Sequence, residues 1–484
     1  MRDVRCLLSP ARQPHPESDE CDNYRNLVEK SLYSQAVRPR PLSEFLLPMH
    51  VQQDELTPRI LPRSEHCVSR QDISDPALKV LSRLHKAGFA AFLVGGGVRD
   101  LLLGHHPKDF DVATDATPEQ LKELFRNCRL IGRRFRLAHI HFGRDIVEVA
   151  TFRGHHADVD DEAVASTRDG MIVRDNVFGT LAQDAWRRDF TVNALYYNIA
   201  DFSVLDYTGG LEDIQQRRIR MIGDAHVRCQ EDPVRILRAI RFAAKLQFEL
   251  DPDLVDAIAE QRDRLQAVSP ARLYDEVLKL FLSGYASQVL PLLRRYDMLG
   301  LLFAGTEASL NKGFLHFDEL LKRACANTDS RIHENKPVTP AFLFACLLWG
   351  PVQERTAELQ QTGMSPIQAL QEAGHEVLSE QSHQIALPKR FRLPIREIWS
   401  GQERLTNRKG RRAFALLESK RFRATYDFML LRYEAGATEL QPLCDWWTRF
   451  QSVDIEEQNA MCQAHQAQRH GQRPRRRRKP RPND

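Results

Sequence analysis

No apolar stretch in this chain reaches the roughly 18 residues that a membrane helix needs, so a bilayer-spanning segment is not expected. No Cys-x-x-Cys pair occurs either, because the nine cysteines (positions 6, 21, 67, 128, 229, 325, 346, 444 and 462) are scattered. Their scatter argues against a zinc site or a disulfide framework and for reduced thiols in a cytoplasm. The opening residues, MRDVRCLLSPARQPHP, lack the apolar centre of a secretory signal. The seventeen histidines are dispersed. The adjacent pairs His105–His106 and His155–His156 face opposite ways on an extended chain, so no metal role is assigned to them.

What is present is a chain of 484 residues, 42% of them hydrophobic, enough for roughly two to four domains with real cores. The net charge of +4 hides an asymmetry: the tail from Arg469 carries eight Arg/Lys against one Asp, a net +7, which leaves the rest at −3. A near-neutral body with a cationic tail suits a polyanionic partner. The tail cannot bury a core and is expected to be disordered. Two further basic clusters, 388–396 and 408–412, are weaker candidates for contact with the same partner. Residues 1–60, with prolines at 10, 14, 16, 39, 41, 48 and 58 and little periodicity, read as a disordered extension.

Regular structure is expected from Asp75, a candidate cap, with Pro76 at the first helical position. Ala77, Val80, Leu81 and Leu84 follow at helical spacing, and Gly88 stops the helix. AAFLV reads as a strand and Thr117-Pro118-Glu119-Gln120 as a capping box opening a helix. LIGRRFRLAHIHF and DIVEVATFR read as strands joined by a turn at 143–145. The polar stretch 155–172 reads as a mobile loop. DAWRRDFTVNALYYNI and EDPVRILRAIRFAAKL read as helix-type segments flanking short strands near Phe202 to Tyr207, and 251–450 as almost wholly helical. The expected fold class is α+β: a small mixed-sheet head, not doubly wound, followed by a mostly α-helical neck and body.

The chemistry centres on LVGGGVRDLLLGHHPKDFDV, residues 93–112. Three glycines between a strand and a short helix let backbone amides approach phosphate. In DFDV, alternation places Phe110 and Val112 on one face and Asp109 and Asp111 on the other, with the two carboxylates about 7 Å apart along the strand. Paired carboxylates offer hard oxygen ligands to Mg²⁺. Gly96 and Gly97 are the candidates to meet a triphosphate. Arg99 either contacts phosphate or forms a structural ion pair. A third acid is sought, and Glu148 and Asp189 both qualify on pattern. Glu231, Asp232, Arg235 and Arg238 share a helical stripe; they can offer acceptor and forked donors to a nucleobase edge, or lace the helix with ion pairs.

These segments, in this order, resemble the class II nucleotidyltransferases, which include bacterial poly(A) polymerases and enzymes that add CCA to tRNA. The resemblance rests on LVGGGVRDLLLG with DFD, RRDFTVNALYY and EDPVRILRAIRFAAKL, and covers roughly residues 61–450. LIGRRFRLAHI (130–140), RDNVFGT and the basic tail are similar to the poly(A) polymerase branch. The resemblance implies metal binding and catalysis by Asp109 and Asp111, with Asp189 as a further active-site residue in preference to Glu148. It also implies nucleotide-site roles for Arg188, Asn193, Asp232 and Arg235. It implies a catalytic head over 61–200, a nucleotide-reading neck over 201–270, an RNA-binding body over 271–455 and a disordered tail over 456–484. The implied activity is template-independent addition of AMP from ATP to RNA 3′ ends with Mg²⁺, promoting RNA decay; the alternative is CCA addition to tRNA. A cytoplasmic monomer that meets RNA-decay machinery is expected. No His-Asp pair occurs, so the phosphohydrolase domain found on some CCA-adding enzymes is absent.

Overall fold

The computed structural model describes residues 57–132, 136–154, 165–168, 171–175 and 178–471. The expected disorder of residues 1–56 and 472–484, part of the 155–172 loop, and 133–135 of LIGRRFRLAHI lie outside the described residues. The described residues divide into two compact units, the first ending at Ile222 and the second beginning at Gly223.

The first unit is built on one eight-stranded sheet. In chain order its elements are β1 (Arg59–Leu61), α1 (Asp75–Lys86), β2 (Ala91–Val94), α2 (Gly96–Leu102), β3 (Asp111–Thr114), α3 (Pro118–Leu124), β4 (Cys128–Ile131), β5 (Leu137–Phe142) and β6 (Asp145–Thr151). After these come β7 (Ala165–Arg168), β8 (Met171–Asp175), α4 (Leu181–Trp186), β9 (Leu195–Asn198), β10 (Val204–Asp206) and α5 (Gly210–Gln216). The strand order is β1-β10-β9-β2-β3-β6-β5-β4. β3 and β6 run parallel, whereas β2 runs antiparallel to both β3 and β9, so the sheet is mixed, as expected. β1 pairs with β10 and β10 with β9, so the sheet draws on strands from Arg59 to Asp206.

The two faces of this sheet have different fates. One is sealed by Leu93, Val112, Val149, Ala138 and Tyr197, with α1 laid across β2, β3 and β6. The apolar stripe of α1 (Ala77, Val80, Leu81, Leu84) is buried as its spacing demands; its cap is Ser74, whose hydroxyl accepts from the Ala77 amide, rather than Asp75. The capping box of α3 forms through Thr117 and Gln120. The other face is covered at one end by α4, whose Ala185 packs with Val94, Ala113, Phe152 and Tyr196. It stays open at Asp111 of β3 and at Ile146 and Glu148 of β6.

Several segments depart from expectation. DAWRRDFTVNALYYNI is not one helix: α4 ends at Trp186, Thr191–Asn193 makes a single 3-10 turn, and LYYN is strand β9. Tyr196 and Tyr197 are 0% and 1% exposed, one to each face, which is the demand of a central strand rather than of an amphipathic helix. The second half of the expected loop pairs as β7 and β8 in a two-stranded sheet; β-branched Ile172 and Val173 favour that state.

The second unit begins with α6 (Ala225–Glu231), α7 (Val234–Leu246), α8 (Pro252–Gln261), α9 (Pro270–Phe281) and α10 (Ala286–Arg295), and apart from the two-residue strand Glu249–Leu250 its regular elements are helical through Gly471. EDPVRILRAIRF breaks between α6 and α7. Asp232 adopts φ −147°, ψ 92° because the residue before a proline is driven out of the helical region. A helix over Ile455–Gly471 occupies much of the stretch from 456 that was expected to be disordered. Its Glu, Gln, Ala and Met residues are good helix formers, and Cys462 anchors it in a cluster with Trp447 and Phe450.

Candidate active site

A single register row crosses the open face of the head sheet. Reading across strands, Tyr196 pairs with Val94 and Val94 with Asp111. Asp111 pairs with Glu148, Glu148 with His139, and His139 with Arg129. Partners in a row point to the same side of a sheet, so this row is a surface that runs from a buried aromatic to exposed acids. The alternation expected of DFDV holds: Phe110 and Val112 are buried while Asp109 and Asp111 are exposed. Asp109 stands just ahead of β3 and Asp111 is its first residue.

The row crowds negative charge. Burial pushes the Asp111 carboxyl up to about 6, and the Glu148 charge adds to the push; Arg188 draws it back, and Asp109 adds a smaller push. Glu148 also lies 3.3 Å from His139 Nε2. Of the two candidate third acids, Glu148 is therefore the one set beside Asp111. Asp189 is turned to its own backbone, with Oδ1 accepting from the Phe190 amide at 2.9 Å and lying 3.5 Å from Asn193 Nδ2.

The glycine turn sits against these acids. Gly95 has φ +75°, ψ −134°, a conformation that is essentially confined to glycine, and its amide donates to the Leu195 carbonyl at 3.1 Å. A Cβ on Gly97 would lie 3.5 Å from the Asp109 carbonyl oxygen, so the turn and the first aspartate touch. Gly96 is the half-exposed glycine of the three. Arg99 is 1% exposed. Its Nε and Nη2 donate to Asp100 Oδ1 at 2.8 and 2.6 Å, and its Nη1 donates to Asn193 Oδ1. Arg99 thus forms the ion pair with Asp100 and, with Asn193, braces the turn.

Arg188, a nucleotide-site candidate by resemblance, lies beside the glycine turn. A Cβ on Gly95 would lie 3.5 Å from its Nη1, and its charge is felt at Asp111. Its Nε donates to the Tyr196 hydroxyl at 2.9 Å and its Nη2 donates to Asp184 Oδ2 at 3.0 Å. Asp184 and Tyr196 escaped the reading of the sequence. Asp184 was detectable as the i−4 partner of Arg188; Tyr196 was detectable only once LYYN is read as a strand.

In the second unit, Asp232 and Arg235 are half-buried. Arg235 Nη1 donates to Glu231 Oε2 at 2.8 Å and to the Arg228 carbonyl. Asp232 Oδ1 accepts from the Val234 amide at 3.2 Å, and Oδ2 accepts from Arg272 at 2.6 Å. Both residues are thus held in fixed orientations, Arg272 being a partner that spacing did not reveal.

Comparison with known proteins places these segments in a family context. Residues 91–220 match the poly A polymerase head domain. Residues 247–310 match the probable RNA and SrmB-binding site of polymerase A, and 362–482 its arginine-rich C-terminus. The chain is 47% identical to poly(A) polymerase I of Salmonella typhimurium over 83% of its own length and 88% of that protein. It is 36% identical to the CCA-adding enzyme of Lactobacillus gasseri, over 43% of this chain and 50% of that enzyme. Among solved structures, the CCA-adding enzyme of Bacillus stearothermophilus in complex with CTP is similar at a TM-score of 0.54 and 25% identity, covering 79% of this chain and 84% of that one.

Proposed function

The chain belongs to the poly(A) polymerase I family, and on that footing we propose that the open row of the head sheet is where AMP passes from ATP to an RNA 3′ end. The protein is a template-independent polynucleotide adenylyltransferase. The observation that carries this reading over CCA addition is coverage: similarity to a poly(A) polymerase spans 83% of the chain, whereas similarity to a CCA-adding enzyme spans 43%.

The residues present suit a divalent ion. Asp109 and Asp111 are exposed, and Asp111 is an acid crowded by the Glu148 anion, an arrangement that a cation relieves. Among the described residues no three His, Cys, Asp or Glu side chains gather closely enough to hold an ion alone. Mg²⁺ commonly binds through one or two carboxylates, with substrate phosphates and water completing its shell. When bound, it supplies charge neutralisation at the 3′-hydroxyl and at the departing pyrophosphate.

The chain's own residues do the positioning. The amides of Gly96 and Gly97 line the triphosphate, and Arg188 pairs with its oxygens. Arg99 and Asn193 hold the turn in shape, and Asp189 is oriented at the edge of the same turn. Asp232 and Arg235 present an acceptor and donors to the adenine edge. In-line attack by the 3′-hydroxyl on the α-phosphorus then breaks the bond to the pyrophosphate leaving group. The basic tail and the clusters at 388–396 and 408–412 engage the RNA backbone. The enzyme acts as a cytoplasmic monomer, in a setting that keeps its cysteines as thiols, and its tailed products pass to RNA-decay machinery.

Incubating a generic RNA with each nucleoside triphosphate separately tests the reading. Long ladders with ATP are expected. Addition confined to tRNA and requiring CTP would overturn it in favour of CCA addition.

A further inference from the structure

Asp184, Tyr196 and Arg188 form a ring that overhangs the glycine turn, and of its members only Arg188 is assigned above to substrate contact. Asp184 is 6% exposed and Tyr196 0%. The Tyr196 hydroxyl donates to Asp184 Oδ2 at 2.7 Å and accepts from Arg188 Nε, and Arg188 Nη2 returns to the same carboxylate oxygen. The other oxygen, Asp184 Oδ1, accepts from the Arg153 amide at 3.3 Å. A carboxylate this buried is costly unless it is paired and hydrogen-bonded, and here both oxygens are engaged. Burial alone would weaken the hold of Arg188 on its proton; Tyr196 and Asp184 outweigh it and keep the guanidinium cationic. Burial also holds the Tyr196 hydroxyl well above its ordinary range, so it keeps the proton it donates.

The ring has a direction. It grips Arg188 through Nε and Nη2, while Nη1 lies against Gly95. Tyr196 stands in the same register row as Asp111 with only Val94 between them, about 10 Å away at the spacing of strands. The guanidinium is therefore fixed on the rim of the acid row, facing the turn that would receive phosphate.

We propose that Asp184 and Tyr196 are positioning residues for ATP, acting through Arg188, whose guanidinium they lock over the glycine turn to receive the triphosphate. This rests on the reading of Gly96 and Gly97 with Asp109 and Asp111 as the ATP site. Neither residue need touch substrate. A guanidinium released from the ring would still carry its charge but would sample many rotamers, and the loss would fall on nucleotide binding.

The test uses the full chain, a generic RNA, Mg²⁺ and labelled ATP, with Tyr196→Phe, Arg188→Ala and the double variant, each accompanied by a thermal melt. Tyr196→Phe should raise the KM for ATP about tenfold, the worth of one hydrogen bond to a charged group. Its kcat should stay within about threefold of wild type and its KM for RNA should not move. Arg188→Ala should raise the ATP KM further, and adding Tyr196→Phe to it should change nothing more, the signature of two residues acting through one contact. Asp184→Asn should follow Tyr196→Phe where it folds. An unchanged ATP KM in Tyr196→Phe, or an equal further loss in the Arg188→Ala background, would overturn the proposal and leave a ring that only fastens α4 to the sheet. Failure of the wild-type chain to incorporate ATP at all would instead sink the reading of the site.

Discussion

Replacing Asp111 with asparagine should abolish AMP transfer and, without divalent ions, make the head more stable. The Asp111 carboxyl titrates at about 6 in the folded chain, against an ordinary 3.8, because burial and then the Glu148 charge disfavour its anion. The sign follows from proton counting. Between these two values the native state holds a proton that the unfolded chain has lost, so stability falls as pH rises through that window, and the penalty is complete above pH 6. At face value the displacement is worth about 3 kcal/mol. Solvent around a side chain this open screens it to about 1 kcal/mol. Asparagine keeps the shape and removes the charge, so the variant should gain about 1 kcal/mol at pH 7.5, or about 2–4 °C in melting temperature for a unit of this size. The gain should fade towards pH 4, where wild-type Asp111 is protonated. Thermal melts by circular dichroism in EDTA at the two pH values provide the measurement. Glu148→Gln should give a smaller gain of the same sign. A variant no more stable than wild type at pH 7.5, or a gain that does not shrink in acid, would refute the picture of crowded anions.

His66 provides a second pH dependence, of different origin. Its Nε2 lies 2.8 Å from the Phe202 carbonyl, and burial holds its pKa below the ordinary 6.5 while that bond opposes the shift. The unfolded chain therefore takes up a proton first, and stability should fall as pH drops below about 6.5 towards the folded value; His66→Gln should flatten that limb of the melting profile. Gly210→Ala should destabilise the head by roughly 2 kcal/mol or more, because its Cβ would lie 2.3 Å from the Thr191 carbonyl oxygen; a melt within 1 °C of wild type would contradict this. Deleting 472–484 removes seven Arg/Lys. If all of them neutralise phosphates, the slope of log affinity against log salt should flatten by about 5 on single-stranded RNA, and an unchanged slope would exclude the tail from binding.

The parts of this site that depend on short windows were legible before any coordinates. The alternation in DFDV exposes Asp109 and Asp111 because a strand's period of two is local. The Thr117–Gln120 box closes because its four residues form both bonds themselves. Register is not local in this sense. The row Tyr196–Val94–Asp111–Glu148–His139 draws on five strands whose members lie as much as 102 positions apart, so no window of sequence contains it. That is why pattern alone could not rank Glu148 against Asp189: both are acids on plausible elements, and only the parallel pairing of β3 with β6 sets one of them opposite Asp111. The same gap hid Tyr196. Its hydroxyl bonds to Arg188 and Asp184, yet an amphipathic helix and a two-sided buried strand both accept the string LYYN until the neighbouring strands are known. Arg99 shows the converse. Motif position allowed it either phosphate or an ion pair, and the fold buries it beneath Gly96 in an ion pair with Asp100. Charge at a glycine turn is cheap to recognise in sequence, but whether that charge reaches a ligand depends on which arginine the fold leaves at the rim, and that choice is made by residues from α4 and β9.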